Sequence, residues 1–288
     1  MKMKHFLRIR ASAFVLIFLL ASCEKAVDWP LDGMMQDRII VEGIITNENK
    51  IQEIKLSLPF KNPNEPAPVV SGAGVQVSSA DGVFLFSEDP DQPGLYRSEQ
   101  PFRGLPGRTY TLLISYGGEI ITAKAPMTTG QDFVFLKYAR DPETKLFRIF
   151  WVANTYNAKR AAMYEILLDW SEVAGYEHLE AHETRARLIY YTLPTLDVSQ
   201  IFAPPAETVL FPSGTKITER RYSLAPEHAE YIRALLLETS WQGGYFSSAS
   251  ANLPTNLSSK GAGFFGACAV TIKTGTVRLT GLSDPTGN

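Results

Sequence analysis

One segment gathers two of the chain's four histidines: His178-Leu179-Glu180-Ala181-His182-Glu183. Two imidazoles four residues apart on a helix share a face, and with a carboxylate they could bind zinc and support metal-assisted hydrolysis. The order of the acid departs from His-Glu-x-x-His, and the segment is polar and lies between two predicted strands. The reading favours a solvated loop or helical turn and no metal; His178 and His182 are the residues a metal would have to use. Glu88-Asp89-Pro90-Asp91 places three acids in a turn, the oxygen-rich chemistry of calcium. It lacks the glycine and further acids of a calcium loop, and Asp-Pro starts turns in its own right. Cys268 sits in the apolar run Ala267-Cys268-Ala269-Val270 with no histidine close in sequence, so a buried, inert thiol is expected.

Aromatic residues are the remaining resource. Trp151, Trp170, Tyr190, Tyr191, Trp241, Tyr245 and Phe246 concentrate in the second half. Trp151 and Trp170 lie inside apolar strands and are expected in the core. Trp241, Tyr245 and Phe246 flank glycines after a predicted helix and are the expected binding surface for a sugar or a protein partner. There is no Gly-x-Ser-x-Gly elbow, phosphate-gripping loop or dinucleotide fingerprint. Gly261-Ala262-Gly263-Phe264-Phe265-Gly266 has glycines, but a strand follows it, not a helix. No catalytic residue is assigned.

The N-terminus has the anatomy of an export signal. Lys2, Lys4, Arg8 and Arg10 precede an apolar run over 11–20, and Leu20-Ala21-Ser22-Cys23 ends it. The run is about half of the roughly 20 residues a membrane-spanning helix needs. The ending resembles the lipobox of bacterial lipoproteins, which implies diacylglycerol on the Cys23 thiol and cleavage before it. That covalent lipid is the only cofactor expected. Cleavage removes four of the 28 basic residues and leaves 24 against 30 acids, a net of −6. Such a balance argues against nucleic acid and against electrostatic adhesion to anionic lipid. Attachment then rests on acyl chains, at about 0.8 kcal/mol per buried methylene.

The elements that must position these residues are mostly strands. Residues 1–22 are read as signal and 23–37 as anchor and tether. Residues 38–129 carry seven strand patterns separated by turn signals such as Asp81-Gly82, Pro93-Gly94 and Gly117-Gly118. Seven strands in about 90 residues is the size of an immunoglobulin-like sandwich, here without a cysteine pair. Residues 130–288 form a second antiparallel β domain with one packed helix near 226–239, which Ser223 could cap and Pro226 would open. Strands are predicted over 264–273 and 275–281, with Gly275 starting a turn between them. The fold class is therefore mainly β.

The chain resembles the DUF4249 family of Bacteroidetes lipoproteins. Ile40-Val41-Glu42-Gly43-Ile44-Ile45-Thr46, Gly94-Leu95-Tyr96, Phe102-Arg103-Gly104 and Gly107-Arg108-Thr109-Tyr110-Thr111-Leu112 carry the resemblance. So do Ala125-Pro126-Met127, Tyr231, Asn252-Leu253-Pro254-Thr255-Asn256-Leu257 and Gly263-Phe264-Phe265-Gly266. It implies an outer-membrane lipoprotein, often encoded beside a TonB-dependent receptor, and supplies no catalytic residue. The expected function is non-enzymatic: an accessory of a TonB-dependent transport system acting through protein or ligand binding. The alternatives are an envelope adhesin or structural lipoprotein and, third, a metal-assisted hydrolase at His178 and His182.

Overall fold

A computed structural model describes residues 38–60, 65–157, 159–195, 208–239, 253–258 and 260–278. The chain is mainly β. Thirteen strands follow in order: β1 (Ile39–Thr46), β2 (Glu53–Ser57), β3 (Gly74–Ser79), β4 (Gly82–Glu88), β5 (Leu95–Ser98), β6 (Thr109–Tyr116), β7 (Glu119–Pro126), β8 (Lys137–Arg140), β9 (Phe147–Trp151), β10 (Ala162–Asp169), β11 (Arg185–Thr192), β12 (Lys216–Ser223) and β13 (Gly261–Thr276). One turn of helix, α1 (Ala181–Thr184), precedes β11, and α2 (Pro226–Thr239) follows β12.

Eleven strands form one sheet in the order β11-β10-β12-β13-β1-β2-β5-β4-β3-β6-β7; β8 and β9 pair separately. Lettered A to G, the first seven run A-B-E-D-C-F-G, the immunoglobulin order, with the C–D hairpin joining the two layers. Alternation makes the sandwich. In β6, Tyr110, Leu112 and Ile114 are buried while their neighbours are not, and they share a core with Ile54, Leu56, Val77 and Tyr96. Tyr110, at the start of the F strand, accepts a hydrogen bond from the Leu105 N–H at 2.6 Å. This is the tyrosine corner of immunoglobulin-like domains.

The last strand ties the halves together. β13 pairs parallel with β1 from Ile39↔Gly261 to Thr46↔Cys268, then antiparallel with β12 from Ser223↔Ala269 to Lys216↔Thr276. The described residues form one compact unit. Gly275 does not turn the chain; it lies inside β13 opposite Ile217, where Phe135 packs on it. The predicted pair 264–273 and 275–281 is thus one strand through Thr276, because the ladder to β12 and the Phe135 ring hold Gly275 extended. Asn47 clamps the handover, its amide oxygen accepting from the Val270 N–H at 2.7 Å and its NH2 donating to the Val270 carbonyl at 3.3 Å.

The residues behind the family resemblance have structural work to do here. Asn256 donates to the carbonyls of Lys124 (2.9 Å) and Phe265 (2.7 Å) and accepts from the Phe265 N–H (3.1 Å), pinning β13 to β7. A Cβ on Gly104 would lie 2.3 Å from Met127 Cε and 3.1 Å from the Thr46 carbonyl oxygen, so a side chain there would make the buried Met127 move.

Helix α2 spans the residues expected and opens on Pro226. It buries His228, Ala229 and Ile232, one stripe at helical spacing, against Tyr222, Cys268 and Val270. Ser223 is not its cap. It ends β12, its hydroxyl accepts from Arg221 Nη1 at 2.7 Å, and the first helical bond runs from the Ala229 N–H to the Ala225 carbonyl.

Candidate functional site

Three adjacent strands floor a cavity of about 780 Å3 in the C-terminal half. Tyr164 of β10 lies opposite Arg221 of β12, and Arg221 lies opposite Thr271 of β13. With period-2 alternation, Tyr164, Arg221 and Lys273 therefore face the same side. The stretches 132–138 and 151–154, which lead into and out of the β8–β9 hairpin, supply the opposite wall.

Arg221 is 2% exposed. Its Nε donates to the Tyr164 hydroxyl (3.2 Å), Nη1 to Ser223 Oγ (2.7 Å), and Nη2 to Gln131 Oε1 (3.2 Å) and the Arg160 carbonyl (3.3 Å). Every acceptor is neutral. The same Gln131 oxygen accepts from Arg160 Nε at 2.7 Å, so two guanidiniums converge on one uncharged atom. Lys273 pairs with Asp132 at 3.0 Å, and the hydrogen bond from Lys273 is the main cause that holds the Asp132 carboxyl below its usual range. Lys137 Nζ lies 5.2 Å from the centre of the Trp151 ring.

Behind this wall, Glu219 is fully buried beside Lys273. One oxygen accepts from the Leu136 N–H at 2.8 Å; the other has no hydrogen-bond partner among the described residues. Burial pushes its pKa up to about 7, against the pull of the Leu136 bond and of Lys273. Near neutral pH this carboxyl is therefore only partly ionised.

Trp151 was expected in the core. It is half-buried and walls the cavity, since β9 belongs to the small hairpin and not to the main sheet. Trp170 is buried, in line with expectation. His178 and His182 are both exposed. The helix begins only at Ala181, so the two rings do not share a helical face, and among the described residues no three His, Cys, Asp or Glu side chains are grouped to hold a metal. The capping box of Glu180 and Glu183 explains this lone helical turn.

Of the acids of 88–91, Glu88 and Asp89 are engaged by the chain itself and Asp91 is exposed. Glu88 accepts from Ser71 Oγ (2.7 Å) and from the N–H groups of Gly72 and Gly94 (both 2.8 Å), bonds that keep its pKa low. Asp89 is buried and paired with Arg97. These carboxylates staple a loop. Cys23, Trp241, Tyr245 and Phe246 lie outside the described residues.

The structure brings together two groups far apart in sequence, Cys268 and His228, with Sγ and Nδ1 3.6 Å apart. Burial drives them away from catalysis: the thiol is pushed up to about 12 and the imidazole down to about 4, so both are neutral at pH 7. The sequence signals that could have revealed the cavity are the charges of Glu219 and Arg221, which share an alternation phase with Ile217 in β12.

A search of curated proteins finds no match to the chain. The family profile described as a domain of unknown function, DUF4249, matches residues 24–274, and the chain belongs to that family.

Proposed function

We propose that the protein is a non-enzymatic, lipid-anchored protein of the outer membrane that holds a ligand for a TonB-dependent transport system. The observation that carries the reading is the cavity over β10, β12 and β13. Its volume, about 780 Å3, falls in the range of small-molecule sites, and its wall mixes aromatic and polar groups as such sites do. Acyl chains on Cys23 would keep this cavity at the membrane, which a net charge of −6 after cleavage could not do. Cys268 and His228, the thiol and imidazole in contact, are buried and uncharged, which fits a binding role.

Affinity isolation of the native lipoprotein in mild detergent tests the reading. A TonB-dependent receptor is the expected companion. Recovery of matrix or host material without any receptor would overturn it in favour of the adhesin. Replacing Cys23 with Ser is expected to release the protein from the membrane pellet; a variant still processed normally and still sedimenting with membranes refutes lipid anchoring.

A further inference from the structure

We infer that the cavity over β10, β12 and β13 takes a small molecule carrying an oxyanion, a carboxylate or phosphate group, with Arg221 and Arg160 as the groups that receive it. The inference rests on the ligand-holding reading above and specifies what is held.

The argument starts from charge. The cavity is lined by Lys137, Arg160, Arg221 and Lys273 against a single acid, Asp132, which Lys273 engages. Among the described residues, no carboxylate forms an ion pair with Arg160, Arg221 or Lys137; Asp132, bound to Lys273, acts on Arg160 only at longer range. This happens in a chain whose expected mature form is acidic. A surface lysine without a partner means little, because water solvates it. Arg221 is different, being 98% removed from solvent.

Burying a guanidinium costs several kcal/mol unless an anion or a full set of hydrogen bonds compensates. Here the compensation is partial. Four of its five N–H donors reach neutral oxygens, three of them at 3.2–3.3 Å, and the Tyr164 ring lies 5.8 Å from Cζ. Methionine or leucine would fill such a site at lower cost if packing were its only task. The fifth N–H, on Nη1, is left for a carboxylate or phosphate oxygen, the acceptors a guanidinium binds most strongly. Arg160, tethered to the same Gln131 oxygen but exposed, lies at the cavity and can swing to a bound anion. The neutral Gln131 oxygen positions both cations without satisfying either charge. Trp151, Phe133 and Val152 offer the apolar body of the ligand a surface.

The test uses the full chain in lipid nanodiscs, with empty nanodiscs as the blank. Two probes share one ring system: 2-naphthoate carries a carboxylate and 2-naphthamide does not. Saturation-transfer NMR and calorimetry read their affinities. Naphthoate is expected to bind roughly tenfold more tightly, a preference that Arg221→Met abolishes and Arg160→Gln reduces severalfold, while naphthamide binding stays constant in both variants. Acetate and inorganic phosphate, added as competitors, separate the two oxyanion sources by which displaces naphthoate at the lower concentration. Equal affinities for the two probes, or a preference that survives Arg160→Gln unchanged, overturns the inference and leaves the ligand-holding reading standing. Binding of neither probe overturns both. Arg160 is exposed, so its variant keeps the test decisive even if Arg221→Met fails to fold.

Discussion

The two ends of the large sheet bury polar groups in opposite ways. In the immunoglobulin-like half, Gln52 is fully enclosed and its side chain is saturated. Oε1 accepts from the Thr46 N–H (3.0 Å), and Nε2 donates to the carbonyls of Phe102 (2.9 Å), Glu48 (3.1 Å) and Thr46 (3.3 Å). The buried acid of this half, Asp89, is paired with Arg97. The C-terminal half instead leaves Glu219 with an oxygen that has no hydrogen-bond partner among the described residues, and holds Arg221 on neutral acceptors alone. A satisfied neutral network specifies a fold; under-satisfied charge is a cost that function has to justify. On the ligand-holding proposal, the first half is scaffold and the second holds the site.

Four measurements test that contrast. The largest effect is expected where the halves meet. Gly263 has φ +82° in β13, and a Cβ there would lie 2.3 Å from the Val41 carbonyl oxygen. Gly263→Val should destabilise by at least about 3 kcal/mol and unfold both halves in one transition. Separate melting of the halves in calorimetry would show that they do not depend on the shared strand.

Glu219→Gln comes next. The raised pKa means that the folded state keeps a proton the unfolded chain releases between about pH 4.3 and 7. Stability is therefore lost as pH rises through that window and is flat above it. The neutral isostere should remove this slope and gain on the order of 3 kcal/mol at pH 8, read by denaturant unfolding. An unchanged slope would mean that Glu219 is already satisfied.

Gln52→Leu should cost about 2 kcal/mol at every pH, since it strands polar backbone and removes no charge. A pH-dependent cost would blur the division between the halves. The smallest effect belongs to His228→Leu. Burial lowers the imidazole pKa to about 4, so the unfolded chain takes up a proton first, and stability is lost as pH falls below about 6.5. The variant should gain about 1 kcal/mol at pH 5.5 relative to its change at pH 7.

Much of the scaffold was legible because its signals are local. The hairpin at Gly117-Gly118, the alternation of Tyr110, Leu112 and Ile114, and the Pro226 start of α2 each lie within a few residues. The cavity was not, because Tyr164, Arg221 and Lys273 reach one face only after three strands pair across more than 100 residues. Trp151 misled for the same reason: an apolar strand reads as core unless its sheet is known. The Cys268–His228 contact joins a strand to a helix 40 positions away, and no spacing rule connects them. Gly275 misled in the opposite sense, since a glycine that reads as a turn can instead make room for a ring.

The parallel ladder from Ile39 to Gly261 also sets a timetable. Closing a loop of that length is entropically slow, and until it closes β1 presents an unpaired edge, the kind that recruits strands from other molecules. The immunoglobulin-like half thus begins with a strand whose neighbour is the last to be made. A nascent or C-terminally trimmed chain would carry that sticky border in the open, and aggregation, more than loss of binding, would be the first symptom of losing Asn256 or the residues after it.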